Sequence, residues 1–238
     1  LTSPVLVVLP AWNEAHNLPA VIEELRRERA GDVLLVVDDG STDGTASVAR
    51  GLGCRVLRMP LHLGYGGAVQ AGMKYSLRKG FPVAVTFDAD GQHDPRDVQA
   101  LVDAVAAGAN LAIGSRLLAP AAYHGGLRRR AGRRLFATVV RLLTGLPLTD
   151  PTSGLKALGP VGQRLFALPR FPDRYPDADA LVLARQARLA IAERPATMRP
   201  SRNPHSMHSG LGWPFAYAAN MLLSIYAAVL GHPDDLGG

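Results

Sequence analysis

The stretch Val33-Leu-Leu-Val-Val-Asp-Asp-Gly-Ser-Thr-Asp-Gly-Thr45 decides the fold class. Five apolar residues in succession, three of them β-branched, run straight into an acidic turn. A strand with one wet face would alternate in polarity. An unbroken apolar run means burial on both faces, which points to a mostly parallel sheet with helices on either side. Asp43 stands where it can cap a helix over Thr45–Gly51.

The same alternation extends outward in both directions. Val5–Leu9 reads as a buried strand, and Asn13 or His16 opens a helix that ends near Gly31. Arg55–Met59 is a third strand, Gly66–Lys79 a helix, Val83–Phe87 a fourth strand, Pro95–Ala107 a helix and Leu111–Gly114 a fifth strand. The loops between them are only a few residues long, as βα units require. Beyond Leu118 the texture changes. Gly125–Arg134 is rich in Gly and Arg, Leu135–Leu143 is helical, Pro147–Gly154 is turn-rich and Asp177–Leu189 is helical again. Ala190–Met198 returns as a strand that Pro195 would confine to an edge, and Pro200–Gly212 reads as a loop. The expected class is α/β, with no internal repeat.

Composition narrows the partners. With 238 residues, 47% of them hydrophobic, and a mean hydropathy of +0.07, the chain can bury a sizeable core, and its composition is not that of a disordered chain. The single cysteine, Cys54, rules out a disulfide framework and a Cys-rich zinc site and fits a reducing compartment. No signal peptide is visible before the first strand, and the expected location is cytoplasmic. The net charge is +6. Most of that excess coincides with one cluster, Arg128, Arg129, Arg130, Arg133 and Arg134. Its readings are a solvated helix face, a nucleic-acid patch, or a site for diphosphate or anionic lipid. Nucleic acid is disfavoured, because aromatics make up only 6% and none interleave with the cluster to stack on bases.

In open α/β sheets, ligands bind beyond the carboxyl ends of the strands. Three polar segments meet there: Pro10-Ala-Trp-Asn-Glu14, Asp38-Asp-Gly-Ser-Thr-Asp-Gly44 and Asp88-Ala-Asp-Gly-Gln-His-Asp94. Asp88 and Asp90, two residues apart at a strand end, project the same way and repel one another unless a cation or a proton sits between them. Gln92 and His93 offer further ligands, and hard oxygen donors with room for phosphate suit Mg²⁺ or Mn²⁺. The bland alternative is a solvated turn before a helix. Asp38 and Asp39 serve either as turn and cap residues or as acceptors for a base edge or a ribose hydroxyl. His62-Leu-Gly-Tyr-Gly-Gly-Ala-Val69 lacks the third glycine of a dinucleotide loop and the Lys-Ser/Thr of a P-loop, so a nicotinamide enzyme is disfavoured. Trp12 and Met73 read as packing residues.

Taken in order, Pro10–Glu14, Val36–Thr45, Phe87–Pro95, Gly114-Ser-Arg116 and Asp150-Pro-Thr-Ser-Gly154 resemble the family 2 glycosyltransferases of GT-A fold. Within them the chain is similar to the bacterial relatives of dolichol-phosphate mannosyltransferase. The resemblance covers about Pro4 to Ser209. It implies an inverting enzyme that takes a hexose from a nucleotide diphosphate sugar, GDP- or UDP-linked, and passes it to a polyprenyl phosphate. It also implies site residues. Pro10, Ala11, Asn13 and Glu14 would line the nucleotide pocket, with Asp39 at the base. Asp88 would contact nucleotide or metal, and Asp90 and Gln92 would hold the divalent ion. Arg116, one of the 128–134 cluster (Arg130), Arg199 and Arg202 would face phosphate. Asp150 would face the acceptor, as the first candidate base if that acceptor is a hydroxyl, ahead of Asp179. His62 stands where relatives usually show Asn, and Leu155 where they show Phe. The rival readings are transfer to a glycan or small-molecule hydroxyl, and nucleotide-sugar binding without turnover.

The expected organisation is a catalytic domain over 1–209 and an apolar tail over 210–238. Within the tail, Leu211–Leu230 is borderline in length for a membrane span, and Pro214, Asn220 and Ser224 weaken that reading. A helix lying in the membrane interface, or one pairing with a second copy of the chain, ranks higher. The enzyme is therefore expected to work peripherally on the inner face of the cell membrane.

Overall fold

A computed structural model describes residues 4–118, 138, 141–142, 145, 147–169, 171–172 and 178–199. Among the described residues, seven strands form one sheet: β1 (Leu6–Ala11), β2 (Val33–Asp38), β3 (Arg55–Arg58), β4 (Ala84–Thr86), β5 (Leu111–Ser115), β6 (Lys156–Leu158) and β7 (Ile191–Pro195). Their spatial order is β3-β2-β1-β4-β6-β5-β7. All neighbours are parallel except β6, which runs antiparallel to both β4 and β5. The helices are α1 (Leu18–Glu28), α2 (Thr45–Gly51), α3 (Tyr65–Lys79), α4 (Asp97–Ala106), α5 (Pro160–Phe166) and α6 (Ala178–Gln186).

The unbroken apolar runs are explained by two cores, one on each face. Leu6 and Val8 of β1, with Leu35 and Val37 of β2, face α3, α5 and α6 through Met73, Phe166 and Leu181. Val7 and Leu9, with Leu34 and Val36, face α1 and α4 through Ile22 and Leu101. β1 and β2 thus feed alternate apolar side chains into opposite layers. α1 presents Leu18, Val21, Ile22 and Leu25 at helical spacing, so one stripe meets the sheet. α3 ends at Gly80, whose φ of +73° closes the last turn in the left-handed region, where a side chain is disfavoured.

Most of the expected elements stand, with shifts at their ends. β1 continues through Pro10 and Ala11, because Pro10 lies beyond Val8↔Thr86, the last pair with β4, and no ladder there needs its missing N–H. The first helix begins at Leu18. Asn13 has a φ of +56° and belongs to the loop before it. β7 takes the sheet edge that Pro195 demands. β6 and α5 have no counterpart in the sequence reading. Met73 is buried, but Trp12 is not a packing residue: it is 39% exposed and stacks on His62 with ring centroids 4.4 Å apart. Among the described residues, no helix is long and apolar enough to cross a membrane. The arginine cluster with Arg130, the loop with Arg202 and the tail segment Leu211–Leu230 lie outside the described residues.

Candidate active site

The three polar segments do meet at the carboxyl ends of β1, β2 and β4. The first two are stitched together by their own side chains. Asn13 N–H donates to Ser41 Oγ (2.9 Å), and Asn13 Oδ1 accepts from Thr42 N–H (2.9 Å). Glu14 N–H donates to Thr45 Oγ1 (3.0 Å). Asp43 accepts from Ala15 N–H and from Thr45 N–H, each at 3.0 Å, so it ties the start of α2 to the β1 loop. Asp38 accepts from Ser41 N–H (3.0 Å) within its own turn. Buried Asp39 accepts from Leu63 N–H and Gly64 N–H, both at 2.8 Å, and pairs with His62 Nδ1 at 2.8 Å. As the chain is folded, the Asp39 carboxylate holds the loop that leads into α3.

In the third segment the carboxylates crowd one another. Asp88 Oδ2 meets His93 Nε2 at 2.9 Å, while Oδ1 is buried and accepts no hydrogen bond. Burial works against ionisation of Asp88, but His93, the nearby Tyr65 hydroxyl and the Lys156 ammonium outweigh it and hold its pKa below the ordinary value. Asp90 behaves in the opposite way. Burial and the charge on Asp88 push it up to about 6, although one of its oxygens accepts from Gln92 N–H (2.9 Å). Glu14 is raised too, first by burial, with the charges of Asp43 and Asp88 adding and the hydrogen bond from Asn17 opposing. Three carboxylates, Glu14, Asp88 and Asp90, therefore feel one another across a small space. Gly154 makes room for Asp88: a Cβ at this position would lie 2.5 Å from Asp88 Oδ2 and 2.8 Å from Oδ1.

This donor set fits a divalent cation shared with a ligand. Among the described residues no three His, Cys, Asp or Glu side chains form a closed metal cage. A small hard cation needs none, because it takes one or two carboxylates and fills its remaining positions with water and phosphate oxygens. Like charge raising Asp90, and a buried Asp88 oxygen without a partner, are what such a cation would relieve. Gln92, on the same turn, makes no side-chain hydrogen bond among the described residues. His93, offered by the sequence as a further ligand, is buried, with its Nε2 2.9 Å from Asp88 Oδ2.

The neighbouring strand end is saturated by comparison. Arg116, at the end of β5, and Asp150 form a buried pair with two side-chain contacts, Nε to Oδ2 at 2.5 Å and Nη2 to Oδ1 at 2.6 Å. Arg116 N–H adds a third, to Oδ2 at 3.0 Å. Thr152 Oγ1 accepts from the same guanidinium (2.9 Å). Glu193 on β7 accepts from Thr149 N–H at 2.9 Å and Asp150 N–H at 3.0 Å, fixing the backbone of that turn. Asp179, in the first turn of α6, is buried and accepts from Ala180 N–H (2.8 Å). Arg199, expected near phosphate, instead clamps Glu24 (2.6 Å) and Asp94 (3.0 Å).

Sequence reading missed Glu193, buried Lys156 in β6, and the role of Gly154. Only the last had a signal, since Gly154 closes the motif Asp150–Gly154.

The family model described as "Glycosyl transferase family 2" matches residues 6–154. The chain is 38% identical to polyprenol monophosphomannose synthase of Mycolicibacterium smegmatis, over 66% of its own length and 62% of that protein's. It is 35% identical to undecaprenyl-phosphate mannosyltransferase of Micrococcus luteus, over 64% of its own length and 65% of the relative's. The matches thus span less than two thirds of either relative. Glucosyl-3-phosphoglycerate synthase of Mycobacterium tuberculosis, solved with Mn²⁺ and UDP-glucose, superposes with a TM-score of 0.72 at 26% identity, covering 95% of this chain and 79% of that one.

Proposed function

The chain belongs to glycosyl transferase family 2 and has the GT-A fold, and from that premise we propose that it transfers a hexose, with inversion, from a nucleotide diphosphate sugar to a polyprenyl phosphate. The observation that carries the donor half is the Asp88–Asp90 pair: two carboxylates that repel, at the strand ends where the sheet opens. The acceptor half is supported by the names of the two mannosyl-transferring relatives.

Asp90, Asp88 and Gln92 would hold Mg²⁺ or Mn²⁺ against the donor diphosphate. When bound, that ion supplies Lewis-acid stabilisation of the negative charge that grows on the departing nucleoside diphosphate. The protein's own contribution is positioning. Asn13 and Ser41, hydrogen-bonded to each other, give the nucleotide pocket between Pro10–Glu14 and the β2 loop a fixed wall. Asp150 holds Arg116 in place rather than standing open as a base. A phosphate monoester acceptor is anionic already and asks for no proton to be removed, so a committed Asp150 is consistent with it. Arg130 and Arg202 are the cations proposed to meet phosphate on the nucleotide sugar. Action on such a lipid places the enzyme at the cytoplasmic membrane surface.

The test is a panel of radiolabelled GDP- and UDP-sugars with Mg²⁺ or Mn²⁺, with and without polyprenyl phosphate, scored by label extracted into organic solvent. Label in the organic phase that requires both metal and lipid phosphate supports the reading. Transfer only to water-soluble hydroxyl acceptors would replace its acceptor half, and turnover unaffected by chelator would remove the metal.

A further inference from the structure

Beside the two carboxylates lies a group that the proposed reaction does not use. His93 is 2% exposed and follows Asp88 by five residues, so the chain turns back on itself to bring the ring to the carboxylate. The ring is held from several sides. It packs edge-on to Phe87 with centroids 5.7 Å apart. Its backbone bridges to Met198, and the next backbone contact, Arg199 N–H to Gln92 C=O, is 2.8 Å. Arg199 then reaches across to Asp94 and Glu24, which pins the same turn from outside. The His93 ring has little room to swing. A hydrogen bond to an ionised carboxylate requires the proton on Nε2, so the ring donates to Asp88 Oδ2.

We infer that His93 is a positioning residue for cation binding: it fixes the plane of the Asp88 carboxylate against Gly154, so that an incoming divalent ion meets that group in a single orientation. This rests on the reading of Asp88 and Asp90 as the cation site. The physical reason is general. A carboxylate on a single bond rotates, and a metal that binds it must first stop that rotation. A buried donor that has already done so raises affinity. Outer partners of this kind typically change metal affinity or activity by about 10–100-fold when removed. Gly154 supplies the opposing wall, because its missing Cβ is the space that the carboxylate occupies.

The experiment is a Mn²⁺ titration followed by electron paramagnetic resonance, in the presence of UDP or GDP, on the parent chain and on His93→Phe, His93→Gln and His93→Asn. Phe keeps the ring packing on Phe87 and removes the donor. Gln can place an amide N–H near the position of Nε2, and Asn reaches only the Nδ1 position. We expect His93→Phe and His93→Asn to bind Mn²⁺ about tenfold more weakly or worse, and His93→Gln to recover to within about threefold of the parent. A folded His93→Phe chain with parental Mn²⁺ affinity overturns the inference, as does His93→Gln binding no better than His93→Asn. Should His93→Phe fail to fold, the Gln–Asn contrast decides by itself. A parent chain that binds no Mn²⁺ overturns the cation site and this inference together, whereas a binding parent matched by His93→Phe overturns only the inference.

Discussion

Two strand ends on one edge of the sheet, separated by β6, treat charge in opposite ways. At the end of β5, the Arg116 guanidinium and the Asp150 carboxylate meet through two side-chain contacts, out of water, with Thr152 and Glu193 completing the turn. At the end of β4, Asp88 and Asp90 sit close enough that the charge on Asp88 raises Asp90, and Glu14 adds a third negative group. The first region is complete without a ligand and gives shape. The second is complete only when something positive arrives, and its carboxylates are held ready for it at a cost in folding energy. A site of this kind is built from one satisfied half that locates one unsatisfied half.

The contrast can be broken from either side. The largest effect is expected in the saturated half. Asp150→Ala strands Arg116 in the interior, and the loss should be about 3–5 kcal/mol of folding stability, measured by urea denaturation. A loss below about 1 kcal/mol would mean that the pair is not the anchor described here. In the unsatisfied half, Asp90→Ala should leave stability unchanged or slightly higher, since it relieves repulsion, and should lower transfer by about 100-fold or more. Initial rates and thermal melts on one preparation separate the two outcomes, and unchanged turnover would sink the metal assignment. Next comes Gly154→Ala, whose methyl group must displace Asp88. About 1–3 kcal/mol of destabilisation together with a higher Mn²⁺ requirement is expected, whereas a rise in neither would show that Asp88 can sit elsewhere.

The smallest effect concerns pH. Asp94 is held below the ordinary carboxylate range, first by its hydrogen bond to Arg96 and then, after some opposing burial, by Arg199. Its folded pKa lies below the unfolded value of about 3.9. It therefore adds stability that is fully present above that value and is lost as pH falls from there toward the folded pKa. Arg199→Ala should flatten the loss of stability below about pH 4, by less than about 1 kcal/mol in total. Equal acid sensitivity in the parent and the variant would show that Arg96 alone sets the effect.

How much of this was legible follows from how each part is encoded. β1, β2, β4 and β5 could be read because strands buried on both faces leave unbroken apolar runs, and Asp88 and Asp90 because strand period aligns residues two apart. β6 escaped because it is three residues long with a lysine at its start, too short for any periodicity. The Arg116–Asp150 pair joins residues 34 apart in sequence, and Glu193 meets Thr149 from across the sheet edge. Those are facts of tertiary structure that no local pattern carries. Trp12 misled because its apolar character suggested burial, whereas it lies at the loop surface stacked on His62.

The reversed direction of β6 has a consequence for how such an enzyme could be altered. β5 leaves the sheet at the same edge where β6 enters it, with Ile113 opposite Lys156 as the pair nearest that edge. The residues between them form, in effect, a very long hairpin connection. Closing a longer connection adds only about 0.6 kcal/mol for each doubling of its length. With Arg116 kept at one end and Thr149–Gly154 at the other, a change of length between them costs little in closure, so the antiparallel pairing of β5 with β6 should tolerate it. Chimeras joined after Arg116 and before Thr149 would keep the buried Arg116–Asp150 pair and leave the Asp88–Asp90 half as it is.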